Sequence, residues 1–221
     1  MARVGVVLSG CGFLDGAEIQ EAVFTLYFLD RAGAQVECFA PNKSQMHVVD
    51  HLTGEPTSET RNVLVESARI TRGQVRDLAE AKMDELDALA LPGGYGVAKN
   101  LSTFATAGKD AEIDPDLVRL VGEAVKASKP ILAICISPAI LAAALAKHGS
   151  SAKLTIGDDA ATAGAIEALG SSHQTCTVER AVVDEAHKIV STPAYMLGPS
   201  PKGVAAGIEQ GVAKLMSWLA G

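Results

Sequence analysis

The sequence predicts an α/β chain, a doubly wound and mostly parallel β-sheet with helices on both faces. Three observations carry this reading. Short unbroken apolar runs at 4–8, 88–92 and 130–134 suit strands buried on both faces, the condition of a parallel sheet. Stretches of helical character lie between such runs, so strand and helix alternate from end to end. Glycine-rich or abrupt turns follow three of the runs, at 9–16, 92–96 and 135–139. In a doubly wound sheet such turns gather at the carboxyl edge, where ligands bind.

Taken in order, strand 4–8 leads through the loop Ser9-Gly10-Cys11-Gly12-Phe13-Leu14-Asp15-Gly16 into a helix at 17–32, with Gly33 placed as its C-terminal cap. The loop lacks a GxGxxG, so it is a poor dinucleotide site. Residues 35–40 form the second strand, with Cys38 as a packing residue. A polar excursion with His47, His51, Gly54 and Pro56 follows at 41–60. Helix is expected at 60–70, a short strand at 74–78, helix at 80–85 and a buried strand at 88–92 that runs into Gly93-Gly94-Tyr95-Gly96. A helix at 117–128 precedes the strand that ends at Cys135. Beyond it come a strand at 154–156, a helix at 160–169, strands at 175–178, 182–183 and 189–191, and a closing helix at 204–219.

The 221 residues suffice for a single domain over 1–221 with a substantial core. A net charge of −7 with no basic cluster leaves no electrostatic footprint for nucleic acid. No apolar run approaches the roughly 20 residues that span a bilayer, so no membrane association is expected. Four cysteines, at 11, 38, 135 and 176, are too scattered for a disulfide framework, and with no CxxC pair they do not read as a metal site. The chain enters its first strand directly, without a leader pattern, and a cytoplasmic location with free thiols is expected.

Chemistry concentrates at Pro130-Ile131-Leu132-Ala133-Ile134-Cys135-Ile136-Ser137-Pro138. An apolar strand runs into a cysteine, and an alanine- and leucine-rich helix starts almost at once, so Cys135 belongs on a sharp strand-to-helix turn. Unpaired amides and the positive end of the helix dipole face such a position, and both favour a thiolate and a developing oxyanion. A thiol also needs a proton acceptor. Glu18 and Glu21 share one face of the first helix, near the same sheet edge. Glu18 suits an exposed first-turn acid; Glu21, followed by Ala22 and Val23, suits a buried carboxyl of raised pKa. The expectation is a coupled pair in which Glu21 is protonated and Cys135 has a lowered pKa. Cys11, at the end of the first strand, is expected as a free thiol lining the same pocket.

Several longer strings add a resemblance. Val6-Val7-Leu8-Ser9-Gly10-Cys11-Gly12, Asp15-Gly16-Ala17-Glu18-Ile19, His51-Leu52-Thr53-Gly54-Glu55, Leu91-Pro92-Gly93-Gly94-Tyr95-Gly96, Ala98-Lys99-Asn100-Leu101-Ser102 and Thr192-Pro193-Ala194-Tyr195-Met196 resemble the PfpI-like superfamily of class I glutamine amidotransferase-like folds. Within it they are similar to the bacterial isoprenoid-biosynthesis glyoxalases. The resemblance runs from about residue 3 to 198 and implies a flavodoxin-like sheet. It also implies a nucleophile at Cys135, a helix-borne glutamate at Glu21, twelve residues before Gly33, and oxyanion donors from the amides of Gly94 or Gly93 and of Ile136. The implied activity is a glyoxalase acting on glyoxal, and less readily methylglyoxal, without metal, glutathione or other cofactor, in a homodimer. A histidine directly after the cysteine, or about twenty residues beyond it, completes the superfamily site elsewhere. Here Ile136 and the region of Gly157 stand there instead. That departure keeps a second function open, a redox- or carbonyl-sensing protein with little turnover.

Overall fold

The computed structural model describes residues 1–198 and 200–220. Strands β1 (Arg3–Val7), β2 (Gln35–Ala40), β3 (Arg76–Asp77), β4 (Ala88–Leu91) and β5 (Ile131–Ile134) join the later strands β8 (Val182–Asp184) and β9 (Ile189–Thr192) in a seven-stranded sheet. The order is β3-β2-β1-β4-β5-β9-β8, parallel throughout except for β8 against β9. The chain moves outward from β1 through β2 to β3, then returns to place β4 on the other side. β1 and β4 therefore flank the topological switch point, where the loops on their carboxyl ends diverge and leave a crevice.

Strand parity decides which helix covers which face, because successive side chains point to opposite sides. Val4, Val6, Ala88, Ala90, Leu132 and Ile134 belong to one apolar cluster, together with Ala22 and Leu29 of α1 (Ile19–Arg31) and Ile208 and Leu215 of α8 (Pro201–Leu219). The alternate residues Val7, Leu89, Leu91, Ile131 and Ala133 pack on the other face. They meet Leu117, Leu120 and Val121 of α5 (Pro115–Lys126) and Ile140 and Leu141 of α6 (Ser137–Lys147). α5 buries only the stripe Leu117, Leu120, Val121 and Ala124, whereas α6 is buried on every side from Ser137 to Leu145. That difference matches the amphipathic sequence of one and the wholly apolar sequence of the other.

The remaining elements are α2 (Val63–Ile70), α3 (Tyr95–Lys99), α4 (Phe104–Ala107), α7 (Ala160–Ala168) and a parallel pair, β6 (Lys153–Leu154) with β7 (Ser172–His173). Two expected elements differ. Residues 80–85 form no helix: Glu80 ends a 3-10 turn over Leu78–Glu80, and the carbonyls beyond it are taken by side chains, with Lys129 Nζ donating to Met83 O and Leu86 O and Arg119 to Ala81 O. No strand forms at 175–178, and Val178 packs on the apolar cluster that includes α8. α3 and α4 are additions that the glycine-rich start of 93–96 concealed.

Asn100, at the end of α3, ties three segments of the switch-point edge together. Its Nδ2 donates to Ser9 O (2.9 Å) and Asp15 O (2.8 Å), and its Oδ1 accepts from Met46 N (3.0 Å). The residue is buried, so these groups have no water to fall back on. Asn100→Ala should lower stability by about 2–4 kcal/mol, measured by urea unfolding; a loss under about 0.5 kcal/mol would show that the three segments are held independently.

Candidate active site

Cys135 stands on the turn between β5 and α6 with φ +62°, a left-handed conformation that a non-glycine residue rarely adopts. The neighbouring contacts hold it there. Cys135 N donates to Thr192 O (2.9 Å), and Ser137 Oγ donates to Pro92 O (2.9 Å), which ties the elbow to the end of β4. The strain aims the sulfur up from the sheet edge and leaves the amide of Ile136 directed at it. The amide of Gly94 is also close enough to favour charge on the sulfur.

Two glycines make this approach possible. A Cβ on Gly93 would sit 2.3 Å from Cys135 Cβ and 2.6 Å from Glu21 Oε2, and one on Gly94, where φ is +102°, would sit 2.4 Å from Gly16 O. No other residue type fits between the nucleophile and the first helix. The Gly93 amide does not face the sulfur; it donates to Glu21 Oε2 at 3.0 Å. Of the two donors left open by the sequence, Gly94 faces Cys135 and Gly93 is committed to the carboxyl.

Glu21 is fully buried. Its Oε2 accepts from Gly93 N, its Oε1 accepts from Tyr195 N at 3.0 Å, and the Cys135 thiol stands beside it. Burial, opposed mainly by the Tyr195 amide, pushes its pKa up to about 8. Cys135 departs from the expectation. Burial first, and then the Glu21 carboxylate, raise its pKa, while the amides of Gly94 and Ile136 pull the other way. A buried site this small disfavours two negative charges, so the pair shares one proton over a wide pH range. The helix-turn amides favour that charge on sulfur, and the two amides on Glu21 favour it on oxygen.

Glu18 is not the exposed acid that its position suggested. It is half-buried, lines the cavity above Cys135, and caps α1 by accepting from Glu21 N at 2.6 Å. Burial raises its pKa as well. The cavity has a volume of about 820 Å³ and is walled by Tyr95, Phe104, Ile136, Tyr195 and Met196 besides Glu18. None of the five histidines lines it. His51 instead packs edge-on against Phe13, with ring centroids 5.3 Å apart, and accepts from Leu14 N. Among the described residues no group of three or more histidine, cysteine or acidic side chains could hold a metal ion.

A family model for the DJ-1/PfpI family matches residues 11–192, which include the elbow, Glu21 and both glycines. The chain belongs to the DJ-1/PfpI family. Curated relatives of this family member include glutamine amidotransferase-like class 1 domain-containing protein 3, mitochondrial, from Homo sapiens, 44% identical over 97% of this chain and 82% of that protein. The mitochondrial ES1 protein homolog of Rattus norvegicus is 45% identical over 97% and 83%. Among solved structures, an isoprenoid biosynthesis protein with an amidotransferase-like domain from Ehrlichia chaffeensis superposes with a TM-score of 0.93. It is 43% identical, covering 99% of this chain and all (100%) of that one.

Two expectations need correction. Both named curated relatives are mitochondrial proteins, so the cytoplasmic location does not stand. Free thiols, on which that expectation partly rested, do not distinguish one reducing compartment from another. Cys11, a free thiol, does not line the cavity. Gly10 (φ +116°) and Gly12 (φ +135°) fold its loop away from the elbow, and Gly10 N donates to Ser67 Oγ of α2. Cys11 therefore sits within electrostatic reach of Glu66, Arg69 and Arg61 rather than beside Cys135. Thr192-Pro193-Ala194-Tyr195-Met196, one of the strings that carry the resemblance, has a structural role that its spacing does not reveal: its turn delivers the Tyr195 amide to Glu21.

Two outcomes follow from the shared proton. Glu21→Gln removes the repelling carboxylate, so the pH midpoint for alkylation of Cys135 by iodoacetamide, followed peptide by peptide, should fall from above the ordinary value of about 8.5 in the native protein. An unchanged midpoint would separate the two groups. The second outcome concerns stability. A carboxyl raised to about 8 on folding keeps a proton that the unfolded chain loses near the ordinary value of about 4.3. Its contribution is complete below that ordinary value and is lost as pH rises through about 8. The Tm of the native protein should therefore fall relative to that of Glu21→Gln between about pH 5 and about pH 9. A constant difference would mean that Glu21 is already ionised at the lower pH.

Proposed function

We propose that the chain, as a single domain over 1–221, is a cofactor-independent glyoxalase of the isoprenoid-biosynthesis branch of its family, converting glyoxal, and less readily methylglyoxal, to the 2-hydroxy acid. The observation that carries this reading is a strained elbow cysteine beside a buried carboxyl of raised pKa, in a cavity without a histidine base. One acceptor must then serve every proton transfer, and an internal rearrangement of a dicarbonyl needs only one.

The steps follow from that constraint. The Glu21 carboxylate takes the thiol proton, and the Cys135 sulfur adds to one aldehyde carbon. The new alkoxide accepts hydrogen bonds from the Gly94 and Ile136 amides, then receives the proton from Glu21, giving a hemithioacetal. Glu21, again a carboxylate, removes the proton on the carbon bonded to sulfur, and the hydroxyl proton on that carbon passes to the neighbouring aldehyde oxygen, giving an enediolate. Glu21 returns the carbon-derived proton to the adjacent carbon, leaving a thioester. One carbon is oxidised as its neighbour is reduced, so no external oxidant or reductant is needed. Water then cleaves the thioester to free thiol and glycolate. Glu18 lines the same cavity and can take a proton from that water.

A second reading, a sensor of oxidants or carbonyls, draws support from the absence of a histidine among the residues that line the cavity, which leaves the thiol without the usual base for rapid turnover. Selective conversion of Cys135 to sulfinic acid under mild peroxide, with negligible turnover, would favour it.

Glycolate formed from glyoxal is the decisive assay. Cys135→Ala should abolish turnover, a loss of about 10³-fold or more, and Glu21→Gln should lower kcat by about 10²–10⁴-fold. The rate should climb with pH through an apparent pKa of about 8 that belongs to the pair. Full activity in Cys135→Ala, or a flat profile across that range, would overturn the mechanism.

A further inference from the structure

The cavity above Cys135 is much larger than glyoxal requires. Its volume of about 820 Å³ falls in the range that holds ligands of drug size, and a two-carbon dialdehyde would occupy a small corner. Its wall also has a definite character. Phe13, Tyr95, Ala98, Phe104, Ala105 and Met196 give it apolar and aromatic surface within reach of the sulfur. Three acids, Glu18, Asp158 and Asp159, also line it, and no lysine, arginine or histidine does. Lys99, near its edge, is held by its bond to Leu14 O (2.7 Å) and stands over the outer Tyr95 ring, 5.7 Å from its centroid.

We propose that this cavity takes an electrophilic carbonyl compound larger than glyoxal, with an apolar body and an uncharged or cationic far end. Compounds bearing a carboxylate or phosphate are turned away. The inference deepens the glyoxalase reading and rests on it only for the identity of the reacting group.

The physical argument has two parts. Six apolar or aromatic residues gain by removing an apolar body from water, at roughly 25 cal/mol per Å². A substrate anion gains nothing comparable. It would give up part of its hydration against a wall carrying Glu18, Asp158 and Asp159 and lined by no lysine, arginine or histidine, where like charge repels it. A cation meets the opposite field, and aromatic faces attract it further. Asp159 is held in place as the N-cap of α7, accepting from Thr162 N at 2.7 Å, so its charge is fixed at the cavity wall rather than swinging free in solvent.

The test separates charge selection from catalysis by using alkylating reagents that share one reactive group. Iodoacetate, N-benzyl iodoacetamide and an iodoacetamide with a quaternary ammonium tail are compared on the whole protein, with modification of Cys135 followed by peptide mass spectrometry. In each case the thiolate displaces iodide, forming the carbon–sulfur bond as the carbon–iodine bond breaks. Each rate is divided by that reagent's rate with N-acetylcysteine, which removes intrinsic reactivity. The benzyl and quaternary reagents should then be about tenfold or more ahead of iodoacetate. In the double variant Asp158→Asn with Asp159→Asn, where asparagine keeps the capping acceptor, iodoacetate should regain about threefold or more on the quaternary reagent. Normalised rates within about twofold of one another, or a ratio unmoved by the double variant, would overturn the proposal. Charge selection without any 2-hydroxy acid from dicarbonyls would leave this inference standing and remove the glyoxalase reading. Turnover of glyoxal with no charge selection would do the reverse.

Discussion

A carboxyl group with no access to water is the constraint around which this edge of the fold is arranged. Glu21 comes from α1, the amides that receive it come from the ends of β4 and β9, and the thiol that meets it comes from the end of β5. An unpaired buried carboxylate is among the most unfavourable groups a protein can contain. Each of these partners therefore both stabilises Glu21 and is fixed in position by it. The glycine pair at 93–94 follows from the same demand, since any side chain there would part the carboxyl from the sulfur.

The parallel sheet makes this convergence possible. β1, β4, β5 and β9 run side by side in one direction, so their carboxyl ends deliver four loops to one edge. Geometry at that edge gives the thiol two backbone donors and one acidic neighbour without any histidine. The cost appears as strain: Cys135 and Ala194, two non-glycine residues with φ of +62° and +42°, flank the carboxyl from adjacent strands.

Much of this was legible in the sequence because strand burial and helix periodicity are local properties. Unbroken apolar runs marked β1, β4 and β5, and the run into Cys135 marked the elbow. Glu21 was distinguishable from Glu18 by the apolar residues after it. What could not be read were the long-range partners. The helix expected at 80–85 gave way to carbonyl contacts from Lys129 and Arg119, more than thirty residues away. Cys11 shares the edge by strand position, but two left-handed glycines turn its loop toward α2, a direction that local spacing does not encode. The fall in thiol pKa expected from the helix dipole was outweighed by burial and by the carboxylate beside it.

The bond from Tyr195 N to Glu21 joins residues 174 positions apart. A chain emerging from the ribosome, or threading through a translocation pore, presents α1 and the elbow long before residue 195 is available. Until the last strand of the parallel run docks, Glu21 lacks one of its two backbone donors, and its neighbours have no reason to close around it. Assembly of the reactive thiol is therefore a late event in the life of each molecule, and a chain cut short after α6 would carry the cysteine without its finished surroundings.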